Sequence, residues 1–166
     1  MSRRIYVVDT SYLLELFAVP GNSELRAVSE IRRRFAEATK ASSTFIVPLP
    51  CIFELANHVA DIGNGALRHK KAKEICKAVA GSFEKGVPWT ITPAQSLEAI
   101  PQVLEAFSTD YVQQGVGLTD SFTIHEAARL KLENRNRIAC VVHIWTRDLA
   151  LKAREPDNEP DQFVRG

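Results

Sequence analysis

The chain has 166 residues, of which 45% are hydrophobic and 25% are charged. This length is ordinary for one domain with a sizeable core. The 21 Lys and Arg residues balance 20 Asp and Glu residues, giving a formal charge of +1. That balance excludes a polycation that binds nucleic acid through its overall charge, so any such affinity must come from local patches.

The three cysteines, Cys51, Cys76 and Cys140, lie far apart and form no Cys-x-x-Cys pair. We expect them to be reduced residues of the core. The first apolar run stops at Asp9, which makes it too short for a secretory signal, and no later segment has the length of a membrane span. The sequence therefore predicts a soluble, cytoplasmic protein.

The first half of the chain alternates apolar runs with amphipathic segments. Residues 4–8 have the continuous β-branched and aromatic character of a buried parallel strand. A short helix over 12–17 and a longer one over 23–40 follow, the latter with Arg32-Arg33-Arg34 turned mostly to solvent. Residues 44–47 form the next predicted strand. A helix over 51–61 then has Pro50 in its first turn and Glu54 early in its length.

The second half begins with a basic helix over 66–83 and a short strand over 89–91. Thr92-Pro93-Ala94-Gln95 is a typical helix start, and Leu97 and Leu104 belong to the predicted buried stripe of that helix. A helix over 119–133 and an apolar strand over 138–145 follow. We interpret residues 1–154 as a single domain and the polar residues 155–166 as a loose tail.

Apolar strands separated by helices favour an α/β protein, a three-layer α/β/α sandwich around a mostly parallel sheet. In such a sheet the carboxyl ends of the strands share one edge, where ligands usually bind. Acidic residues stand at or just after the predicted strand ends and at helix starts, namely Asp9, Glu54, Asp120 and Asp148. Carboxylates far apart in sequence can therefore converge there.

Carboxylate oxygens are the ligands that Mg²⁺ and Mn²⁺ prefer. Clustered carboxylates repel one another when they are desolvated, and a bound cation removes that penalty. In phosphodiester hydrolysis the cation can activate a water and stabilise the leaving oxygen. The acidic pattern therefore predicts a metal-dependent nuclease site.

The chain resembles the PIN-domain ribonucleases and is similar to the toxin component of VapBC-type toxin–antitoxin pairs. Each motif alone is weak, but all four acids occur in the family's order and context, over residues 4–150. The matching segments are Val8-Asp9-Thr10-Ser11, Ile52-Phe53-Glu54-Leu55-Ala56, Leu118-Thr119-Asp120-Ser121 and Thr146-Arg147-Asp148.

The resemblance implies endonucleolytic cleavage of RNA with Mg²⁺ or Mn²⁺, commonly in a homodimer. It assigns Asp9, Glu54, Asp120 and Asp148 as metal-binding, catalytic carboxylates. Ser11 and Thr146 match hydroxyl positions that could orient a carboxylate or a metal-bound water. If the protein is a toxin, a small antitoxin protein is the expected partner.

Plainer interpretations stay open at this stage. Each acid could merely cap a helix or form a turn. A PIN-like module that binds RNA or protein without cutting is the alternative function, and a domain phosphorylated on Asp9 is a third. His143 is predicted to be a core residue, as are Trp89 and Trp145, because all three lie in apolar strands.

Overall fold

The computed structural model describes residues 3–137 and 139–165. Its sheet has four parallel strands in the order β3-β2-β1-β4. The strands are β1 Arg3–Val8, β2 Thr44–Pro48, β3 Thr90–Thr92 and β4 Cys140–Trp145. β1 is central and pairs with β4 along its whole length, from Arg3 opposite Cys140 to Val8 opposite Trp145.

Helices connect the strands and cover both faces of the sheet. Among the described residues they are α1 Thr10–Leu16, α2 Leu25–Lys40, α3 Leu49–Ala60, α4 Gly65–Lys85, α5 Ile100–Ala106, α6 Leu118–Glu133 and α7 Leu149–Lys152. A π-helical turn, Phe107–Tyr111, and a 3₁₀ turn, Val112–Gln114, join α5 to α6. This arrangement confirms the predicted three-layer α/β fold.

The alternation of side chains along the strands divides the core in two. Tyr6 and Val8 belong to one apolar cluster, together with side chains of α1, α2 and α3. Ile5 and Val7 belong to the other, together with side chains of α6 and α7. Both faces of β1 are buried, which explains why its sequence is continuously apolar and does not alternate.

The prediction of a helix starting at Thr92 is wrong. Thr92 is the last residue of β3, and the following helix begins only at Ile100. Ala94 is buried with a left-handed φ of 69°, a conformation that interrupts a right-handed helix. Leu97, predicted to be buried, is 81% exposed, and Leu104 is exposed as well.

The segment after Arg154, predicted to be a loose tail, lies against the folded core up to Arg165. The Glu159 carboxylate accepts hydrogen bonds from Trp145 Nε1 at 3.0 Å and from Lys152 Nζ at 2.7 Å. Phe163 contributes its carbonyl oxygen to the Tyr12 hydroxyl and packs against the first apolar cluster. The polar composition of this segment led to the prediction of a loose tail. The sequence alone does not reveal that its acids have buried partners.

Three other expectations are settled by burial. His143, Trp89 and Trp145 are buried, as predicted. Arg34 was expected to face solvent but is buried, because Glu30 and residue 161 supply acceptors for its guanidinium. Cys76 is exposed on α4, so the expectation of a core position holds only for Cys51 and Cys140.

The predicted strand over 138–145 begins at Cys140, and Ile138 lies outside the described residues. Within the described part of the chain, none of the helices combines the length and the apolar character needed to cross a membrane.

Candidate functional site

The predicted acidic residues lie at the carboxyl edge of the sheet, and we call this set the acidic edge. It consists of Asp9 directly after β1, Glu54 in α3 after β2, Asp120 in the first turn of α6 and Asp148 just after β4. Because β1, β2 and β4 run parallel, their carboxyl ends face the same way. The topology therefore explains how residues up to 139 positions apart share one edge.

Asp9 is the most firmly held member of the acidic edge and is only 4% exposed. Its Oδ2 accepts hydrogen bonds from the Ser11 N–H at 3.2 Å, the Ser11 hydroxyl at 2.7 Å and the Thr146 hydroxyl at 2.9 Å. Burial raises the pKa of the Asp9 carboxyl, and these hydrogen bonds oppose that rise. The two hydroxyl residues predicted to orient a carboxylate do contact one.

The same hydroxyls tie the end of β1 to the loop after β4. The Arg147 N–H donates to Ser11 Oγ at 2.8 Å, and the Asp148 N–H donates to Thr146 Oγ1 at 3.0 Å. Ser11 and Thr146 themselves lie 3.2 Å apart, oxygen to oxygen. This network fixes the position of Asp9 relative to the backbone that carries Asp148.

Glu54 is oriented by a residue that the sequence analysis did not single out. The Thr10 hydroxyl, buried at the start of α1, donates to Glu54 Oε2 at 2.9 Å. This contact joins α1 to α3 across 44 positions of sequence. The position of Thr10 between Asp9 and Ser11 is visible in the sequence, but the partner of its hydroxyl could not be inferred without the fold.

Asp120 is the carboxyl most perturbed by the rest of the edge. Burial, followed by the negative charge of Asp9 and then those of Asp148 and Glu54, raises its pKa to about 7. Its Oδ2 accepts one hydrogen bond, from the Gly117 N–H at 3.2 Å, which acts against that rise. The other three acids are therefore close enough to Asp120 to oppose its ionisation electrostatically.

Asp148 is exposed and caps α7, accepting the Leu151 N–H at 2.8 Å. Asp9 likewise caps α1 through Ser11. The plainer interpretation, that these two acids cap helices, is thus correct. A cap uses one of the acceptor positions of a carboxylate, so it does not prevent a further role at the same edge.

The acidic edge matches a hard divalent cation in donor chemistry, because all its side-chain donors are oxygens. The positions of its side chains match a cation site less well. Across residues 3–137 and 139–165, no group of three or more His, Cys, Asp or Glu side chains is close enough to hold a metal ion. Closer approach of Asp9, Glu54, Asp120 and Asp148 would be needed to hold a cation, which would relieve the repulsion that the other three exert on Asp120.

A buried ion pair next to the acidic edge was also missed. Arg147, between Thr146 and Asp148, donates to Glu15 Oε1 at 3.1 Å, and both side chains are almost fully buried. The Arg147 guanidinium also lies 4.7 Å from the Phe163 ring centroid. No local sequence pattern indicates this pair, because its two residues are 132 positions apart.

Several residues of the two basic runs have protein partners. Arg33 pairs with Glu30 and Glu37, and the Lys71 ammonium donates to the Phe17 carbonyl oxygen at 2.7 Å. Arg32 donates to the carbonyl oxygen of Leu16. These contacts explain how α2 and α4 are anchored.

The chain was compared with models of known protein families and with curated proteins, and neither comparison finds a match.

Proposed function

We propose that this protein is a metal-dependent endoribonuclease that hydrolyses RNA phosphodiester bonds at the acidic edge. The observation that supports it is the Asp120 carboxyl, whose pKa is raised to about 7 by burial and by Asp9, Asp148 and Glu54. A fold that places Asp120 where three other carboxylates oppose its ionisation gains from a cation that compensates their charge. Strongly perturbed carboxyls gathered at one edge are typical of functional sites.

In this proposal Asp9, Glu54, Asp120 and Asp148 hold Mg²⁺ or Mn²⁺. When bound, such a cation lowers the pKa of a water and neutralises phosphate oxygens. Ser11 and Thr146 keep the Asp9 carboxylate in one orientation through their hydrogen bonds to Oδ2. Thr10 does the same for Glu54. With its pKa at about 7, Asp120 is only partly ionised at neutral pH, and positive charge at the edge would favour its ionised form.

The choice of RNA as substrate depends on the resemblance of the four acidic motifs to those of PIN-domain ribonucleases. By the same resemblance we propose a cytoplasmic toxin that acts as a homodimer and is inhibited by an antitoxin protein. A short neighbouring gene for a DNA-binding protein would support the toxin role. An isolated gene would favour a nuclease that acts without an antitoxin.

The test is cleavage of a mixed RNA pool by purified protein with Mg²⁺ or Mn²⁺ and with EDTA. Asp9→Asn and Asp120→Asn are compared with wild type and with Asp61→Asn, a control at an exposed aspartate that caps the end of α3. We expect metal-dependent cutting by wild type and Asp61→Asn, and at least about a hundredfold less by the other two variants. Circular dichroism checks that each variant is folded.

A second candidate function is a module that binds RNA or a protein without cutting. It is favoured by the absence, in the described residues, of three acids close enough to hold a metal, and by the use of Asp148 as a helix cap. No cutting by folded wild type with either cation, combined with retention of RNA in a gel-shift assay, would replace the nuclease proposal with this one.

A further inference from the structure

A groove separate from the acidic edge lies on the α2 face of the sheet, and we call it the α2 groove. It has a volume of about 500 Å³ and lies between α2 and residues 158–161, above β1 and β4. This volume is within the range of small-molecule sites. Arg4, at one end of the groove, is five positions before Asp9, or about 16 Å along an extended strand. The groove therefore does not belong to the proposed nuclease site.

Two buried polar side chains form the floor of the α2 groove. Tyr6 and His143 are directly paired in the β1–β4 register, and each is 5% exposed. Their rings lie 5.7 Å apart, centroid to centroid. His143 Nδ1 is 2.8 Å from the Asp157 carbonyl oxygen, which can only accept, so Nδ1 carries a hydrogen and Nε2 remains for another partner.

The charges along the α2 groove are mostly committed to protein partners. Arg33 pairs with Glu30 and Glu37, and Arg34 with Glu30 and residue 161. On the opposite wall the Glu159 carboxylate is held by Lys152. Arg4 differs, since it is exposed and forms an ion pair with none of the described acids. The charge left for a ligand is therefore one guanidinium, a group that binds phosphate oxygens in a bidentate manner.

The apolar part of the groove is aromatic. Trp145 lies beside Tyr6, with ring centroids 4.1 Å apart, and both line the groove. Ala38 and Ala41 face them from α2, and their small side chains leave depth between the helix and the sheet. Tyr6 and Trp145 are almost fully buried, so a flat ligand ring would meet only the edges of these rings, a contact that aromatic pairs favour.

We propose that the α2 groove binds an aromatic phosphate ester of mononucleotide size. Arg4 binds the phosphate, Tyr6 and His143 Nε2 bind polar atoms of the ligand, and the ring lies in the groove against the edges of its aromatic floor. The ligand is either a free mononucleotide or the phosphorylated end of an RNA strand, which share this chemistry. Residues 158–161 form one wall of the groove.

The test is thermal unfolding in EDTA, a condition that removes any metal-dependent binding at the acidic edge. The ligands are AMP, GMP, CMP and UMP, with adenosine and inorganic phosphate for comparison. The variants are Arg4→Gln and its matched control Arg3→Gln, the exposed preceding residue, which does not line the groove. We expect at least one mononucleotide to raise the unfolding midpoint of wild type and Arg3→Gln by a few degrees, and that of Arg4→Gln by less than half as much.

An equal shift in Arg4→Gln and wild type overturns the proposal, as does a shift no larger than that given by inorganic phosphate. If mononucleotides give no shift, RNA oligonucleotides with a 5′-phosphate are compared with the same strands ending in a 5′-hydroxyl. A shift only with the phosphate identifies the RNA end as the ligand, and no shift with either overturns the proposal.

Nuclear magnetic resonance of the imidazole rings gives a second readout that does not require a variant to fold. His58, His69 and His125 do not line the groove. Addition of the ligand is expected to move the His143 signals and to leave those of the other three histidines in place. Movement of the other signals without that of His143 contradicts the proposal.

Discussion

Burial and three neighbouring carboxylates all raise the pKa of Asp120, and its single backbone hydrogen bond does not offset that rise. The pKa of this carboxyl is about 7 in the folded chain and 3.8 as its ordinary value. Between these values the folded state keeps a proton that the unfolded state has lost. Stability therefore falls as pH rises from about 4 to about 7, and the loss is complete above that range.

We predict that Asp120→Asn stabilises the protein in EDTA at pH 8 and has little effect on stability near pH 4. The amide is neutral at both pH values and keeps an oxygen that can accept the Gly117 N–H. Each kcal/mol gained should raise the unfolding midpoint by about 2–4 °C for a chain of this length. Differential scanning calorimetry at the two pH values measures the effect.

The control for this prediction is Asp61→Asn at the exposed end of α3, whose midpoint should differ little from wild type at either pH. An Asp120→Asn variant that is less stable than wild type at pH 8 would mean that the carboxylate is stabilised there by a contact outside those described.

Thr10 provides the second prediction at this scale. Its hydroxyl donates to Glu54 Oε2 at 2.9 Å, so Thr10→Val removes the donor and keeps the shape. Loss of a residue that orients a metal ligand typically costs 10–100-fold in metal affinity or activity. If the proposed nuclease is correct, Thr10→Val should need about 10–100 times more Mn²⁺ for half-maximal cutting.

Thr10→Ser keeps the hydroxyl and is expected to cut at nearly the wild-type Mn²⁺ requirement. A titration of cutting rate against Mn²⁺ for the three proteins separates the two cases. Equal loss in Thr10→Ser and Thr10→Val would show that the methyl group matters for packing and that the hydroxyl has no orienting role.

At the scale of elements, a few buried contacts hold the C-terminal segment against the core. Glu159 accepts from Trp145 Nε1 and Lys152 Nζ, and Lys152 also donates to Glu155 and to the Ile144 carbonyl oxygen. Lys152 and Glu155 are almost completely buried. The Lys152 ammonium is therefore shared by two carboxylates, and loss of one buried hydrogen-bond partner in such a group typically costs about 1–3 kcal/mol.

We predict that Glu159→Gln lowers the free energy of unfolding by about 1–3 kcal/mol, because the single amide oxygen cannot accept from both Trp145 Nε1 and Lys152 Nζ. Asp161→Asn, in the same segment, is the matched control. Its carboxylate is 83% exposed, and the buried Arg34 keeps the backbone carbonyl oxygen of residue 161 as an acceptor. Exposed pairs contribute about 0–1 kcal/mol. Urea unfolding of the three proteins measures the difference, and similar losses in both variants would contradict this account.

The same segment marks the limit of what the sequence can predict about elements. The helices and longer strands were predictable because their apolar periodicity is local, and α2 and α6 were expected within two residues of their observed bounds. The burial of Arg34 and Glu159 was not predictable. Arg34 depends on an acceptor at residue 161, more than a hundred positions away, and Glu159 depends on the donor Trp145 Nε1. The Thr92 helix start failed because the third strand of the sheet uses that residue.

For the whole molecule, parallel topology is what made the acidic edge predictable. Once the strands are parallel, residues that follow them must lie on one edge, whichever helices come between. The contacts within the edge were less accessible. Ser11 and Thr146 were expected beside a carboxylate and do contact Asp9, whereas the Thr10 contact to Glu54 depends on how α1 and α3 pack.

The last prediction concerns the stability of the whole fold in the presence of a cation. A ligand that binds only the folded state adds RT ln(1 + [L]/Kd) to its stability, or about 2.7 kcal/mol at a hundred times Kd. Mg²⁺ or Mn²⁺ should therefore raise the unfolding midpoint of wild type by about 5–10 °C at saturating concentration. The rise should be larger at pH 8 than at pH 5, because Asp120 must lose its proton to bind the cation.

The double variant Asp9→Asn, Asp120→Asn should start from a higher midpoint in EDTA at pH 8 and gain almost nothing from either cation. This opposite pair of effects identifies the acidic edge as the place of binding, since a cation bound elsewhere on the surface would stabilise both proteins alike. An equal rise in wild type and the double variant would show that the cation does not bind at Asp9 and Asp120. The proposal of hydrolysis at this edge of the sheet would then be wrong.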